Sequence, residues 1–260
     1  MRTEEWFLNA LESENIPFAD CISFLAEVAT TVNTEQADML SDLLYEAALQ
    51  KKDILHAILI LENQQKWHND DLSWRKLVST KVEKLLIADG KKNIFDAAGW
   101  NDSSIMITEC FRRTRLLLSA KMGLLCFDKT WGGGIIKKVD PFYGKIFVDF
   151  DKKPGHSFSF AYAAEALDLI GSDHFYAIWR NDPNGFTRMV KESPGDVIKL
   201  ILKNMGPLSG EKIKELLCGS ILNDTDWDVF WENAIKGIKN DPEIEYPKRK
   251  TDPIKIITPA

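Results

Sequence analysis

Lys145-Ile146-Phe147-Val148-Asp149-Phe150 and His156-Ser157-Phe158-Ser159-Phe160 are the two stretches of this 260-residue chain that read with a period of two. At that period Ile146, Val148 and Phe150 share one face of a strand, and Phe158 and Phe160 point inward from the next. Turn-forming clusters surround them: Trp131-Gly132-Gly133-Gly134, Pro141-Phe142-Tyr143-Gly144 and Lys152-Lys153-Pro154-Gly155. Four or five short strands in the 50 or so residues from Lys121 to Gly171 predict a small β-barrel. A lone hairpin would be marginal in water, so closure or packing on neighbouring helices must complete its core.

On both sides the period changes to that of a helix. Up to about Ser119 the only proline is Pro17, and segments such as Asp38 to Leu49 place Leu40, Leu43, Leu44 and Ala47 on one stripe with acids opposite. A second helix is predicted from Asp53 to Trp67, apolar at Ile54, Leu55, Ile58, Leu59 and Leu61 and closed by His68-Asn69-Asp70-Asp71. After Ser172 the helical period returns between breaks at Asn181-Asp182-Pro183-Asn184-Gly185, Ser193-Pro194-Gly195 and Gly206-Pro207. There Trp227, Phe230, Trp231 and Ala234 form an apolar face, with Asp224 and Asp226 where helix-capping acids belong. The expected chain is mainly α with a small β-barrel: an α-helical domain over 1–119 (a bundle or short helical-repeat stack), a barrel over 120–171, a small helical domain over 172–246, and a linker or tail over 247–260.

Composition narrows the function. Thirty-three Lys+Arg against 39 Asp+Glu give a net charge of −6, which disfavours a general nucleic-acid coat. No apolar run is long enough to span a membrane, and the N-terminal residues lack a signal-peptide layout, so the chain reads as cytoplasmic. Cys21, Cys110, Cys126 and Cys218 are scattered, and His56, His68, His156 and His174 form no zinc-binding spacing. The glycine cluster is not followed by the helix and Lys-Ser/Thr of a phosphate-binding loop. No cofactor, metal or catalytic constellation is predicted. Asp70-Asp71, the one acidic pair in an interhelical loop, reads as a helix cap, since two oxygen ligands alone make a weak metal site.

The charge is unevenly spread. Of the three blocks 1–120, 121–160 and 161–260, with net charges −6, +3 and −3, only the middle one is basic, with seven basic and four acidic side chains. Lys129, Lys137, Lys138, Lys145, Lys152 and Lys153 share it with the turn aromatics Phe142 and Tyr143, a mixture suited to an acidic protein surface or a phosphate backbone. An ordinary solvated lysine rim is the plain alternative. Gly206 to Leu217 has the outline of a helix-turn-helix opening, but residues 173–246 carry net −4 where a DNA-facing helix should be basic, so helical packing is expected there.

Leu125 to Asp140, with its Trp131-Gly132-Gly133-Gly134-Ile135 corner, together with Lys145 to Asp151 and Phe160 to Ala164, resembles the Tudor-like barrel of the accessory region fused ahead of Gre-type transcription elongation factors. More loosely, it is similar to the Tudor-like module of UvrD/PcrA-type helicases and the polymerase-interacting domain of CarD-type regulators. The resemblance implies docking onto RNA polymerase by a non-enzymatic module. The long acid-tipped coiled coil that Gre-type cleavage needs has no counterpart here. One departure is Gly133, where the family has a bulky residue between the two glycines. Expected partner contacts are Lys129, Trp131, Lys137, Lys138, Phe142 and Tyr143, with Gly132 and Gly134 as structural turn residues. Lys137 and Lys138 are adjacent on one strand, so at least one faces solvent. The competing expectations are a module that binds the nucleic-acid backbone through the same basic face, with weak nucleic-acid contact, or a helical protein-interaction scaffold.

Overall fold

The structure, a computed structural model, describes residues 2–68, 72–249 and 251–257. Asp70 and Asp71, and Lys250 of the basic linker, lie outside the described residues. The chain divides into two compact units. The first comprises Met1–Met122, Lys137–Phe147 and Ser157–Leu167; the second comprises Gly123–Ile136, Val148–His156 and Asp168–Ala260.

The helices of the first unit begin with α1 (Glu4–Leu11), α2 (Phe18–Thr31), α3 (Thr34–Gln50) and α4 (Ile54–His68), followed by α5 (Leu72–Ala88), α6 (Lys92–Ala98) and α7 (Ile107–Ser119). Starts are set locally: Thr3 Oγ1 accepts the Trp6 N–H at 3.2 Å, and Asn33 Oδ1 accepts that of Gln36 at 2.7 Å. In α3 the apolar stripe is rotated from its expected position. Leu40 and Leu44 are buried, but Leu43 is 48% exposed, and Ala37, Ser41, Tyr45 and Ala48 complete the inner face. That face is the one packed on α2 and α4. Ser41 is tolerated there because its hydroxyl donates to the Ala37 carbonyl at 2.7 Å.

Three consecutive polar residues of α4, Asn63, Gln64 and Gln65, are also buried. Asn63 donates to the Ile22 carbonyl at 3.2 Å, Gln64 donates to Asp38 at 3.3 Å, and Gln65 accepts from the Trp74 indole at 2.7 Å, while the Asn63 Oδ1 and Gln64 Oε1 atoms are buried without a hydrogen-bond partner among the described residues. In α7, hydrogen bonds from Arg112 and then Arg113 hold the Glu109 carboxyl down to about 2.

The strands are β1 (Leu125–Asp128), β2 (Gly132–Asp140), β3 (Lys145–Phe150) and β4 (Lys153–Ser159); α8 (Phe160–Ala166) then separates β4 from β5 (Leu167–Leu169). The expected barrel is an open sheet of order β4-β3-β2-β1-β5. The reason lies at Ser159, whose hydroxyl accepts the Tyr162 N–H at 3.2 Å and starts a helix where the alternation predicted more strand. Phe160 is buried as expected, but as the first residue of α8. The three-residue β5 that follows lies beside β1, and the Ile170 N–H just after it donates to the Leu125 carbonyl at 3.1 Å, so β4 and β5 remain the two edges. Within the first unit, Arg112 of α7 donates to the Ala164 carbonyl of α8 at 2.6 Å.

The second unit continues with α9 (Phe175–Asn181), α10 (Pro183–Glu192), α11 (Pro194–Met205), α12 (Gly210–Leu217), α13 (Asp224–Ile238), β6 (Ile244–Glu245) and β7 (Lys255–Ile256). Its core joins Phe127 of β1 to Phe175, Phe186, Ile198, Ile201, Ile213, Trp227 and Phe230. Trp227, Phe230 and Ala234 are buried on one face of α13 as expected, with Trp231 packed at its border. Of the stretch expected as a linker or tail, Ile254 is buried and exchanges backbone hydrogen bonds with Leu208 at 2.9 and 3.2 Å, while β7 pairs antiparallel with β6.

His174 caps α9 by accepting the Tyr176 N–H on Nδ1 at 3.2 Å, and its ring lies 4.6 Å from Phe175 and 5.5 Å from Phe127. Burial pushes its pKa from 6.5 down to about 4. Between those values the unfolded chain binds a proton that the folded chain refuses, so stability falls as pH falls through this window. Against a His174→Asn variant, which keeps an acceptor at the cap, the wild type should lose on the order of 3 kcal/mol between pH 6.5 and pH 4. Urea titrations of both proteins across that range check this; a stability difference independent of pH would contradict it.

Candidate partner-binding surface

Lys137, Lys138, Phe142 and Tyr143 belong to the first unit and Lys129, Trp131, Gly132 and Gly134 to the second.

In the first unit, β2 and β3 are joined by the turn Pro141-Phe142-Tyr143-Gly144. The Asp140 side chain accepts the Tyr143 N–H at 3.1 Å and the Lys138 ammonium at 2.7 Å, and the Lys138 bond is the main reason its carboxyl sits below the usual range. Asn93 of α6 donates to the Pro141 carbonyl at 2.7 Å, and the Phe160 N–H donates to the Gly144 carbonyl at 2.7 Å. The turn is thus anchored at both ends. At its tip Phe142 is 87% exposed and Tyr143 71% exposed, their rings perpendicular with centroids 4.9 Å apart. Burying one such side chain releases about 1.5–3 kcal/mol, so this pair withholds a sizeable driving force for a partner to collect. Both Lys137 and Lys138 are exposed, where the sequence required only one. The Lys138 ammonium also lies 5.6 Å from the Phe147 ring centre.

In the second unit, the buried Asp128 accepts the N–H groups of Thr130 at 2.7 Å and Trp131 at 2.9 Å, turning the chain back into β2. Gly132 and Gly134 are expected at a strand-to-strand corner, through positive φ or close backbone approach. Gly132 has the positive φ, +77°, and pairs with Asp128; Gly133 and Gly134 are strand residues that pair with Phe127 and Cys126, and Gly134 serves by close approach. They are glycines because both faces of the strand are occupied at backbone level. A Cβ on Gly133 would lie 2.1 Å from the Tyr176 ring, and one on Gly134 would lie 2.7 Å from Phe150 and 2.8 Å from Val148. Tyr176 is held over Gly133 by its hydroxyl, which donates to Asp151 at 2.8 Å, and the other oxygen of Asp151 pairs with Arg180 at 2.8 Å. Burial, followed by the Asp151 contact, raises the phenol pKa and keeps it a donor. Trp131 is half-buried, with the Lys153 ammonium 4.2 Å from its ring centre and His156 at 5.4 Å. Trp131 and Lys129 stand on the wall of a cavity of about 710 Å3.

Sequence reasoning missed Asp128, Asp151, Tyr176 and Arg180. Asp128 carried a local signal, an Asp placed two and three residues before the N–H groups it accepts. The other three are joined only through the fold, 25 and 29 residues apart along the chain. Among the described residues, no group of His, Cys, Asp or Glu is arranged to hold a metal ion, and no helix is long and apolar enough to cross a membrane.

Residues 176–258 match the family model of the GRAD helix-turn-helix domain. Within it, α11 ends at Gly206, φ +76°, and α12 follows after the Ser209 cap. The chain is homologous to part of the transcription elongation factor GreA of Chlamydia trachomatis, 29% identical over 175 residues, 66% of this chain and 24% of that protein. The GreA of Chlamydia pneumoniae is 29% identical over 124 residues, 47% of this chain and 17% of the relative. A putative GreA-associated domains protein of Treponema pallidum is 24% identical over 158 residues, 59% of this chain and 21% of the relative. The chain thus spans at most about a quarter of these relatives' length. No solved structure matches it.

The glycine argument has a direct check. Gly133→Ala should destabilise the protein by about 1–3 kcal/mol, because a methyl must displace the Tyr176 ring. A double-mutant cycle with Tyr176→Ala, followed by urea unfolding, should show a coupling of at least about 1 kcal/mol. Additive losses would mean that the ring does not constrain position 133.

Proposed function

We propose that this chain is a non-catalytic module associated with transcription elongation that docks on RNA polymerase through its β2–β3 hairpin. The homology to portions of GreA proteins supports the transcription role. The observation that carries the docking reading is the Phe142–Tyr143 pair, exposed on an anchored turn and accompanied by Lys137 and Lys138. Apolar anchors beside lysines suit an acidic protein surface: the rings supply the affinity, and Lys137 and Lys138, the latter paired with Asp140, the orientation and association rate. The Tudor-like element inferred from the sequence enters this reading as an open sheet. The helix-turn-helix match brings no preference for DNA, since residues 173–246 carry net −4.

Core RNA polymerase from the same organism, titrated with the labelled chain at two salt concentrations, tests this. Phe142→Ala/Tyr143→Ala and Lys137→Glu/Lys138→Glu should each weaken binding at least tenfold, the charge variant mainly at low salt. Absence of saturable binding at low salt would sink the proposal. Tighter binding to a random-sequence duplex than to polymerase would transfer the surface to nucleic acid.

A further inference from the structure

The cavity of about 710 Å3 in the second unit is untouched by the hairpin reading. Its volume is that of sites that enclose one small ligand or a few side chains. The floor is apolar, with Phe127, Phe175, Leu208, Leu216 and Ile221 among its residues. Five charged side chains stand around it: Lys129, Lys152, Lys212, Asp151 and Glu215.

Their pairing gives the mouth its sign. Asp151 is already matched by Arg180 at 2.8 Å and by the Tyr176 hydroxyl, and Glu215 by Lys212 at 2.7 Å. Lys152 reaches only the Glu215 backbone carbonyl, at 3.5 Å, and among the described residues neither it nor Lys129 has a carboxylate partner. An apolar floor beneath two unneutralised ammonium groups therefore lies in a unit whose residues 173–246 are net acidic.

We propose that this cavity is a binding site for an acidic peptide segment of a partner protein, which inserts one bulky apolar side chain between flanking carboxylates. Lys129 and Lys152 would meet the carboxylates and the floor would take the apolar group. A nucleic-acid strand fits less well. Its phosphates would pass the Asp151 and Glu215 carboxylates, and the Trp131 face on which a base would stack already carries the Lys153 ammonium at 4.2 Å. The site needs no polymerase and none of the hairpin residues, so it stands or falls separately from the docking surface.

The test is selection of displayed random dodecapeptides on the immobilised full chain, followed by fluorescence anisotropy with the most enriched peptide. The expected sequences carry a Phe, Trp, Leu or Ile with at least two acids within three positions. Lys129→Glu/Lys152→Glu should weaken binding at least tenfold. Ser220→Trp, which fills the cavity from its wall without changing charge, should do the same. Circular dichroism establishes which variants are folded, and either one suffices. Four outcomes would overturn the proposal: no enrichment over a blank surface, neutral or basic selected peptides, affinity unchanged in a folded variant, or displacement of the peptide by an equimolar twelve-residue thymidine oligonucleotide.

Discussion

The Tyr176 ring rests on bare backbone at Gly133, and that contact decides which residue β2 can carry there. No side chain other than hydrogen fits beneath the ring, and the next residue, Gly134, is closed by Phe150 and Val148. With both faces taken at Gly133 and Gly134, that end of β2 packs its backbone directly against neighbouring side chains, while Ile136 farther along is buried through its own side chain. The phenol hydroxyl is a buried donor and needs an acceptor, which Asp151 provides. Arg180 in turn satisfies Asp151. One steric constraint thus propagates into a hydrogen-bonded chain that neutralises an acid on the cavity wall and leaves its lysines to set the charge there.

The hairpin of the first unit follows a different logic. Its tip carries two large aromatic side chains that the fold leaves in water, on a turn held by Asp140, Asn93 and the Phe160 amide. A mobile turn would surrender binding energy to ordering, whereas an anchored one has already met that cost during folding. The adjacent lysines lie in a net-basic segment of an acidic chain, so an encounter with an acidic surface is favoured there over the acidic helical flanks.

Much of this was legible locally. The period of two marked β3 and the buried Ile146, Val148 and Phe150, and the helical period marked the flanks. The Pro-Phe-Tyr-Gly turn was readable as such, and so was the exposure of at least one of Lys137 and Lys138, though not of both. The α3 stripe was misplaced by part of a turn, because which of several apolar residues faces inward depends on where α2 and α4 lie. Buried Asn63, Gln64 and Gln65 gave no sign in a sequence that otherwise reads polar residues as exposed, since their partners come from other helices. The barrel failed at Ser159, where a capping hydroxyl outcompeted the alternation.

Periodicity, turn chemistry and charge blocks are properties of neighbouring residues, and with them the sequence by itself determined a mainly helical chain, a β-element between Leu125 and Leu169, and a basic, aromatic hairpin. The role of the glycine triplet and the cavity were decided only by tertiary structure, whereas the open sheet edge follows from the local cap at Ser159. The first two depend on residues that meet across long separations, as Gly133 meets Tyr176 and Asp151 meets Arg180. Such meetings are selected by steric fit and hydrogen-bond satisfaction in three dimensions, and they leave no repeating mark along the chain.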